Sequence, residues 1–263
     1  MPVPICFWHH AADPFFNMAF DDAMLEHVLR RPQVILLRLY TWNQGTITIG
    51  VNQKPERAVF ADRLGGTPVI RRSTGGRAVY HDESELTYSV ALNAGSAFPL
   101  AEGKPLSVIY LKLAEGLQLF LEGLGISTQV VRRSGADARE AVHRSVKSCF
   151  TSTARYELIA GNLKVLASAQ RQIGAGVLQH GSIKLHGALP HPALPDIPSV
   201  RRQAPQPLGR SDIEGLARVF GSTMSGVLGA SDFSLSNSSN PFPGLPDRLR
   251  KLQENPLAKR DLH

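Results

Sequence analysis

Two segments of this chain carry residue types that do acyl chemistry. The first is RRSTGGRAVYHD, Arg71 to Asp82, in which Thr74, Gly75 and Gly76 form a glycine turn flanked by Arg71, Arg72 and Arg77. Glycine lets backbone N–H groups approach a ligand closely, and the arginines add positive charge. Such a turn suits a phosphate, a carboxylate or a thioester carbonyl, although a plain tight turn with solvated arginines has the same sequence. The second is SVKSCFTSTARYEL, Ser145 to Leu158, with Cys149 two residues after Lys147 and bracketed by Ser148 and Thr151. A lone cysteine is most often an inert small hydrophobe. A neighbouring cation lowers a thiol pKa, and a thiolate takes an acyl group from one thioester and passes it to an amine.

Lys164 is a third element. It opens a strand after the turn residues Gly161-Asn162 and reads either as a solvated edge lysine or as a fixed cation that polarises a carbonyl. His81 and His180 stand in strand-like stretches, where a histidine satisfied within the fold is the commoner role. No Ser/His/Asp order and no zinc-ligand spacing is present, so no metal site is expected.

These groups need a scaffold. Phe15 to Arg30 has helical apolar spacing and starts at Asp13-Pro14. Val34–Tyr40 reads as a buried strand, with Thr46–Val51 as its neighbour. A short helix is expected within Lys54–Arg63, and strands at Pro68–Ile70 and Leu86–Leu92. Gly95 to Pro105 reads as a loop, and Leu106 to Leu124 as the clearest helix, stopped by Gly125. A strand at Ser127–Val131, a mobile basic loop at Arg132–Lys147, a hairpin about Gly161-Asn162 and a strand at Val177–Leu185 follow. Ala188 to Pro207 holds six prolines and reads as a surface connection. Ser211 and Glu214 suggest a capping box for a helix to Leu228; Ser234–Pro243 reads as loose, and Asp247–Glu254 as a last short helix. Strands that follow one another without helices argue for an α/β fold with a mixed, largely antiparallel sheet. The catalytic domain is expected over 1–230, with 231–263 as a tail or short helix.

The 263 residues, 43 % of them hydrophobic, suffice for a packed core. The net charge of +7 suits an acidic partner, protein or nucleotide. No helix-turn-helix or RNA-binding aromatic motif is present, so nucleic acid is not expected. Two cysteines make no disulfide framework, and neither a signal peptide nor a membrane-length apolar run is seen. The expected location is soluble and cytoplasmic.

The segments taken together resemble the lipoate–protein ligase and octanoyltransferase family. FNMAFDDAML, RLYTWNQGTITIGVNQ, RRSTGGRAVYHDESELTYSV, YELIAGNLKVLASAQRQ and LQHGSIKL occur in the family's order over most of the first 185 residues. The resemblance implies a fold similar to biotin protein ligase catalytic domains and a tunnel for a medium-length acyl or lipoyl chain. It implies that Arg71, Arg72, Thr74, Gly75, Gly76, Arg77, Ala78, Val79, Tyr80, His81 and Gly181 bind substrate, and that Lys164 lies against the acyl carboxyl group. Cys149 lies seven residues before Tyr156, as in the family's cysteine transferases. That branch takes octanoyl from acyl carrier protein and delivers it to a lysine of a lipoyl-domain or glycine-cleavage H-type protein, with no added cofactor. The alternative branch activates lipoate with ATP and Mg²⁺ through lipoyl-AMP; a non-catalytic carrier-binding protein is the third reading. Ala167 departs from the family's usual glycine before the Ser168-Ala169 pair.

Overall fold

The computed structural model describes residues 3–97, 106–131, 157–161, 163–185, 191–194, 207–230 and 232–259. Its frame is an eight-stranded sheet in the order β11-β1-β2-β6-β10-β9-β8-β7. The strands are β1 (Val3–Ala12), β2 (Val34–Trp42), β6 (Leu86–Asn93), β7 (Gln129–Val130), β8 (Leu158–Ala160), β9 (Leu163–Ile173), β10 (Gly176–Ile183) and β11 (Ser234–Ser236). β1 runs parallel to β2 and β11, and every other pairing among the described strands of this sheet is antiparallel. The mixed sheet expected from the sequence is therefore the one observed. A smaller sheet holds β3 (Thr46–Ile49) between β4 (Val69–Arg71) and β5 (Val79–His81).

The period-two alternation of the strands divides the core. Ile35, Leu37 and Leu39 of β2 face a cluster built with α2 (Leu106–Gly123) and α3 (Arg210–Val227), including Leu117, Phe120 and Phe220. Leu36 and Tyr40 face the other way, against α1 (Pro14–Arg30), through Phe20, Met24 and Leu25. α4 (Leu245–Glu254) joins this second layer through Leu245 and Leu252. The sheet is thus covered by helices on both faces, each apolar set removed from water.

Local signals explain most boundaries. The Asp13 carboxylate accepts from the Phe15 and Phe16 N–H groups at 2.9 and 3.0 Å, capping α1 with Pro14 in its first turn. Gly125 has φ +78°, a left-handed stop after α2. The 54–63 stretch gives one helical turn, Pro55–Ala58, and a 3₁₀ turn, Ala61–Arg63. Gly95 lies in a further single turn, Ala94–Ala97.

Three expectations are corrected. Thr46–Ile49 does not pair with β2, whose two sides are taken by β1 and β6; its Ile47 and Ile49 pack with Ala58, Ala78 and Ala193 under the small sheet. The start of α3 is at Gly209, whose N–H donates to Asp212 Oδ2 at 2.9 Å, whereas Glu214 pairs with Arg218. Ser234–Pro243 is not loose: β11 pairs with β1, and Phe242 packs on Phe7 and Phe20. β1 itself is unforeseen. Its alternation is masked because both faces are apolar: Cys6 and Trp8 enter one cluster and Phe7 the other. The Arg132–Lys147 loop and most of the proline-rich 188–207 connection lie outside the described residues.

Candidate active site

The two sheets face each other across a narrow cleft. The large sheet contributes Tyr40, Thr87, His180, Gly181, Ser182 and the Ala167–Ala169 stretch. The small sheet and its turn contribute Thr48, Arg72, Gly76, Val79 and His81, and α1 contributes Met18. Cross-strand register explains the large-sheet wall. Ala169 opposes His180 and Ala167 opposes Ser182, so these four share one face.

The glycine turn is built from the arginine outward. Arg72 Nη1 donates to the Thr48 carbonyl at 3.1 Å, its Nε and Nη2 donate to the Gly75 carbonyl at 3.1 and 2.7 Å, and Nη2 also donates to the Arg77 carbonyl at 2.7 Å. The guanidinium therefore shapes the turn by gathering its carbonyls. Gly76 has φ +91°, and a Cβ there would sit 2.8 Å from Arg72 Nη2. Arg71 points elsewhere, toward the carbonyls of Gly50, Val51, Gln53 and Leu257. Ala78 is buried under the small sheet, and Tyr80 turns toward the His191 ring, 4.7 Å away. The sequence-expected set thus divides. Arg72, Gly76, Val79, His81 and Gly181 line the cleft; Thr74 and the carbonyls of Gly75 and Arg77 organise the turn; Arg71, Ala78 and Tyr80 serve its support.

Two buried polar chains hold the cleft walls. In the first, Thr74 Oγ1 lies 2.6 Å from His180 Nε2, and His180 Nδ1 lies 2.9 Å from Asp21 Oδ2. Asp21 Oδ1 accepts from Arg38 Nη1 at 2.9 Å, and Tyr40 Oη donates to Asp21 Oδ2. Burial alone would raise the Asp21 carboxyl, but His180 and Arg38 outweigh it and hold it below the usual carboxylate range. Asp21 and Arg38 are not among the residues the sequence marks for the site, and His180 is expected only as a histidine satisfied within the fold. The signal was present: an acid within the apolar stripe of α1, and an arginine inside VILLRLY on the face of Leu36 and Tyr40.

In the second chain, His81 Nε2 lies 2.8 Å from Thr48 Oγ1, and its Nδ1 lies 2.7 Å from Glu85 Oε1. The ring stacks on Trp42 at 4.2 Å. Glu85 also meets Lys184, whose Nζ donates to the Tyr80 carbonyl at 2.9 Å. Burial would raise the Glu85 carboxyl, but His81 and Lys184 prevail and hold it at about 2. The sign follows from linkage. A carboxyl with its folded value depressed stabilises the fold above its ordinary value near 4.5 and loses that contribution as pH falls toward 2. Stability measured by urea midpoints should decline across that window, and Glu85→Gln should flatten the decline while lowering stability at neutral pH. An unchanged slope in the variant would remove Glu85 from the acid response.

Gly181 is fixed by crowding. A Cβ there would lie 2.5 Å from the Ala167 carbonyl oxygen, 2.6 Å from the Tyr88 ring and 2.9 Å from Ser168 Oγ. Gly181→Ala is therefore expected to destabilise by about 1–3 kcal/mol, through forced movement of β9 and Tyr88. A denaturant midpoint equal to the parent's would contradict this.

The Lys164 side chain is nearly covered, and its ammonium lies 2.6 Å from Glu157 Oε1. It stands on β9 opposite Ile159 and outside the set of residues that line the cleft. Cys149, with Lys147 and Tyr156, lies outside the described residues. Among the described residues no cluster of three His, Cys, Asp or Glu is placed to hold a metal ion, and no helix is long and apolar enough to cross a membrane.

The sequence and the fold are both similar to those of known proteins. Residues 13–226 match the lipoyl protein ligase A/B catalytic domain, and the chain belongs to that family. Octanoyltransferase LipM of Carboxydothermus hydrogenoformans is 38 % identical over 170 residues, covering 64 % of this chain and 59 % of the relative. Octanoyltransferase LipM of Staphylococcus aureus is 35 % identical over 175 residues, 65 % of this chain and 62 % of the relative. The matched part thus spans about three fifths of these curated relatives. The fold is that of a solved putative lipoate protein ligase from T. acidophilum with bound lipoic acid, at TM-score 0.67 and 19 % identity, covering 97 % of this chain and 95 % of that one.

Proposed function

We propose that this protein is an octanoyltransferase of lipoyl cofactor assembly. The acyl group leaves acyl carrier protein as a thioester, forms a second thioester on Cys149, and passes to a lysine amine of a lipoyl-domain or glycine-cleavage H-type protein. Each step exchanges one bond at the carbonyl carbon. The Cys149 thiolate adds and the carrier departs as its thiolate; the neutral lysine amine then adds, Cys149 departs as the thiolate, and the one proton the amine releases balances the carrier thiolate. No nucleotide or metal enters this sequence.

The observation that carries the reading is the cleft. Met18, Val79, Ala167, Ala169 and Gly181 offer apolar contact to an alkyl chain, while the Arg72-ordered turn supplies polar backbone at one wall. Similarity to the LipM octanoyltransferases supports the choice of transfer over ATP-dependent ligation. Ala167, in place of the family's usual glycine, narrows the slot by one methyl group on the face shared with Ser182. The +7 charge favours encounter with acidic carrier proteins.

The test is one acylation assay with a lipoyl-domain acceptor. Octanoyl–acyl carrier protein alone should modify the acceptor lysine, read by mass spectrometry. Modification that requires lipoate or octanoate with ATP, and pyrophosphate release alongside it, would replace transfer by ligation.

A further inference from the structure

The segment after α4 reaches back to the glycine turn. β4 is an edge of the small sheet, and an edge strand leaves backbone N–H groups to be satisfied elsewhere. The Arg71 N–H donates to the Pro256 carbonyl at 2.8 Å. The Arg71 side chain then grips the next residue: its Nε donates to the Leu257 carbonyl at 2.6 Å. Its Nη1 donates to the carbonyls of Gly50, Val51 and Gln53 at 3.1, 3.0 and 2.7 Å. One nearly buried guanidinium thus ties the C-terminal segment to the bend that follows β3.

That bend is in direct contact with the turn. The Val51 N–H donates to the Thr74 carbonyl at 2.9 Å, and the Arg72 N–H to the Ile49 carbonyl at 2.9 Å. A Cβ on Gly50 would fall 2.2 Å from the Gly76 carbonyl oxygen, so the two backbones touch with no room for a side chain. Leu257 is 37 % exposed. The segment is seated by its carbonyls and by α4, whose Leu245 and Leu252 pack on α1.

We infer that residues 256–257 are a latch that holds the Thr74–Gly76 turn in register through Arg71, which is a positioning residue for the acyl site. Its consequence for acyl transfer rests on the function proposed above; its consequence for the turn does not. Removing the latch leaves a buried guanidinium N–H and an edge N–H without their acceptors, and the bend and turn then loosen together.

The experiment compares the parent, a variant ending at Asn255, Arg71→Met, and the two combined. Amide hydrogen exchange at Thr74, Gly75 and Gly76 should quicken about tenfold in each single variant, the scale of one lost charge-assisted hydrogen bond. The combined variant should be no faster than Arg71→Met alone, because that change already breaks the side-chain link through which residue 257 acts on the bend. The KM for octanoyl–acyl carrier protein should rise about as much, with kcat within about twofold. A variant with two glycines inserted after Asn255 shifts the same carbonyls if truncation prevents folding. Unchanged exchange at the turn, or additive effects in the combined variant, would overturn the latch. Faster exchange in a protein that shows no transfer even as the parent would leave the latch standing and remove the proposed function.

Discussion

Cys149→Ala is expected to abolish octanoyl transfer, with a fall of at least about a thousandfold in kcat/KM, because the covalent route loses its nucleophile. The parent mixed with octanoyl–acyl carrier protein, in the absence of acceptor, should accumulate an octanoyl adduct on Cys149, visible by intact-mass analysis and lost on treatment with hydroxylamine. Sequence supports the assignment in two ways. Lys147 is two residues away in the sequence, where a cation would favour the thiolate, and Cys149 lies seven residues before Tyr156, as the resemblance to the cysteine transferases implies. The chain's other cysteine is no substitute. Cys6 is fully buried, its Sγ lies 3.4 Å from the Ala217 carbonyl, and burial pushes its thiol well above the ordinary range. Cys6→Ala should therefore leave the adduct intact. Undiminished transfer by Cys149→Ala would end the covalent scheme, whatever the acyl donor.

How much of this was legible beforehand depended on whether a residue's role lay in local sequence. The glycine turn, the strands beside it and the helix cap at Asp13 follow from short-range rules, and the structure has them where those rules put them. Arg72 stands on the cleft wall. Its bonds to the carbonyls of Thr48, Gly75 and Arg77 were not foreseeable, because they depend on how three backbone stretches converge. Arg71 shows the same limit. Adjacent to Arg72 in sequence, it alternates to the opposite side of β4, as period two requires, and meets a segment 186 residues later in the chain. β1 escaped because a strand buried on both faces has no polar alternation to reveal it. His180 looked ordinary because its partners, Thr74 and Asp21, are 106 and 159 residues away. Lys184 was likewise hidden at the end of a strand, yet it completes the charge set beneath His81.

Asp21→Asn is expected to lower stability by about 3–5 kcal/mol, the scale for a buried ion pair that loses one partner. Arg38 is fully buried, and its guanidinium has four anchors: Asp21, the Asn17 carbonyl at 3.0 Å, the Asn17 side-chain oxygen at 2.7 Å and His9 Nδ1 at 3.1 Å. The rings of Tyr40 and Phe20 lie 4.0 and 4.3 Å from its centre. Of these anchors only Asp21 carries a formal negative charge, so the amide leaves the cation in a low-dielectric layer with hydrogen bonds but no counter-charge. His9 offers only a hydrogen-bond acceptor, since burial and Arg38 keep its ring neutral, down to about 3, and its protonation would add a second positive charge. The effect should travel to the cleft. With the carboxylate gone, the His180 ring loses the acceptor that fixes which nitrogen carries its proton, and Thr74 loses its fixed partner. Arg38→Met should cost a similar amount, by leaving Asp21 as the uncompensated charge. The combined Asp21→Asn and Arg38→Met protein should be markedly more stable than the sum of the two losses predicts, since both charges leave together. Urea midpoints for the four proteins give the coupling energy, and nitrogen chemical shifts of His180 report its tautomer. If the losses simply add while the tautomer stays fixed, Asp21 and Arg38 are independent packing residues, and the chain from Arg38 to the glycine turn is not a physical unit.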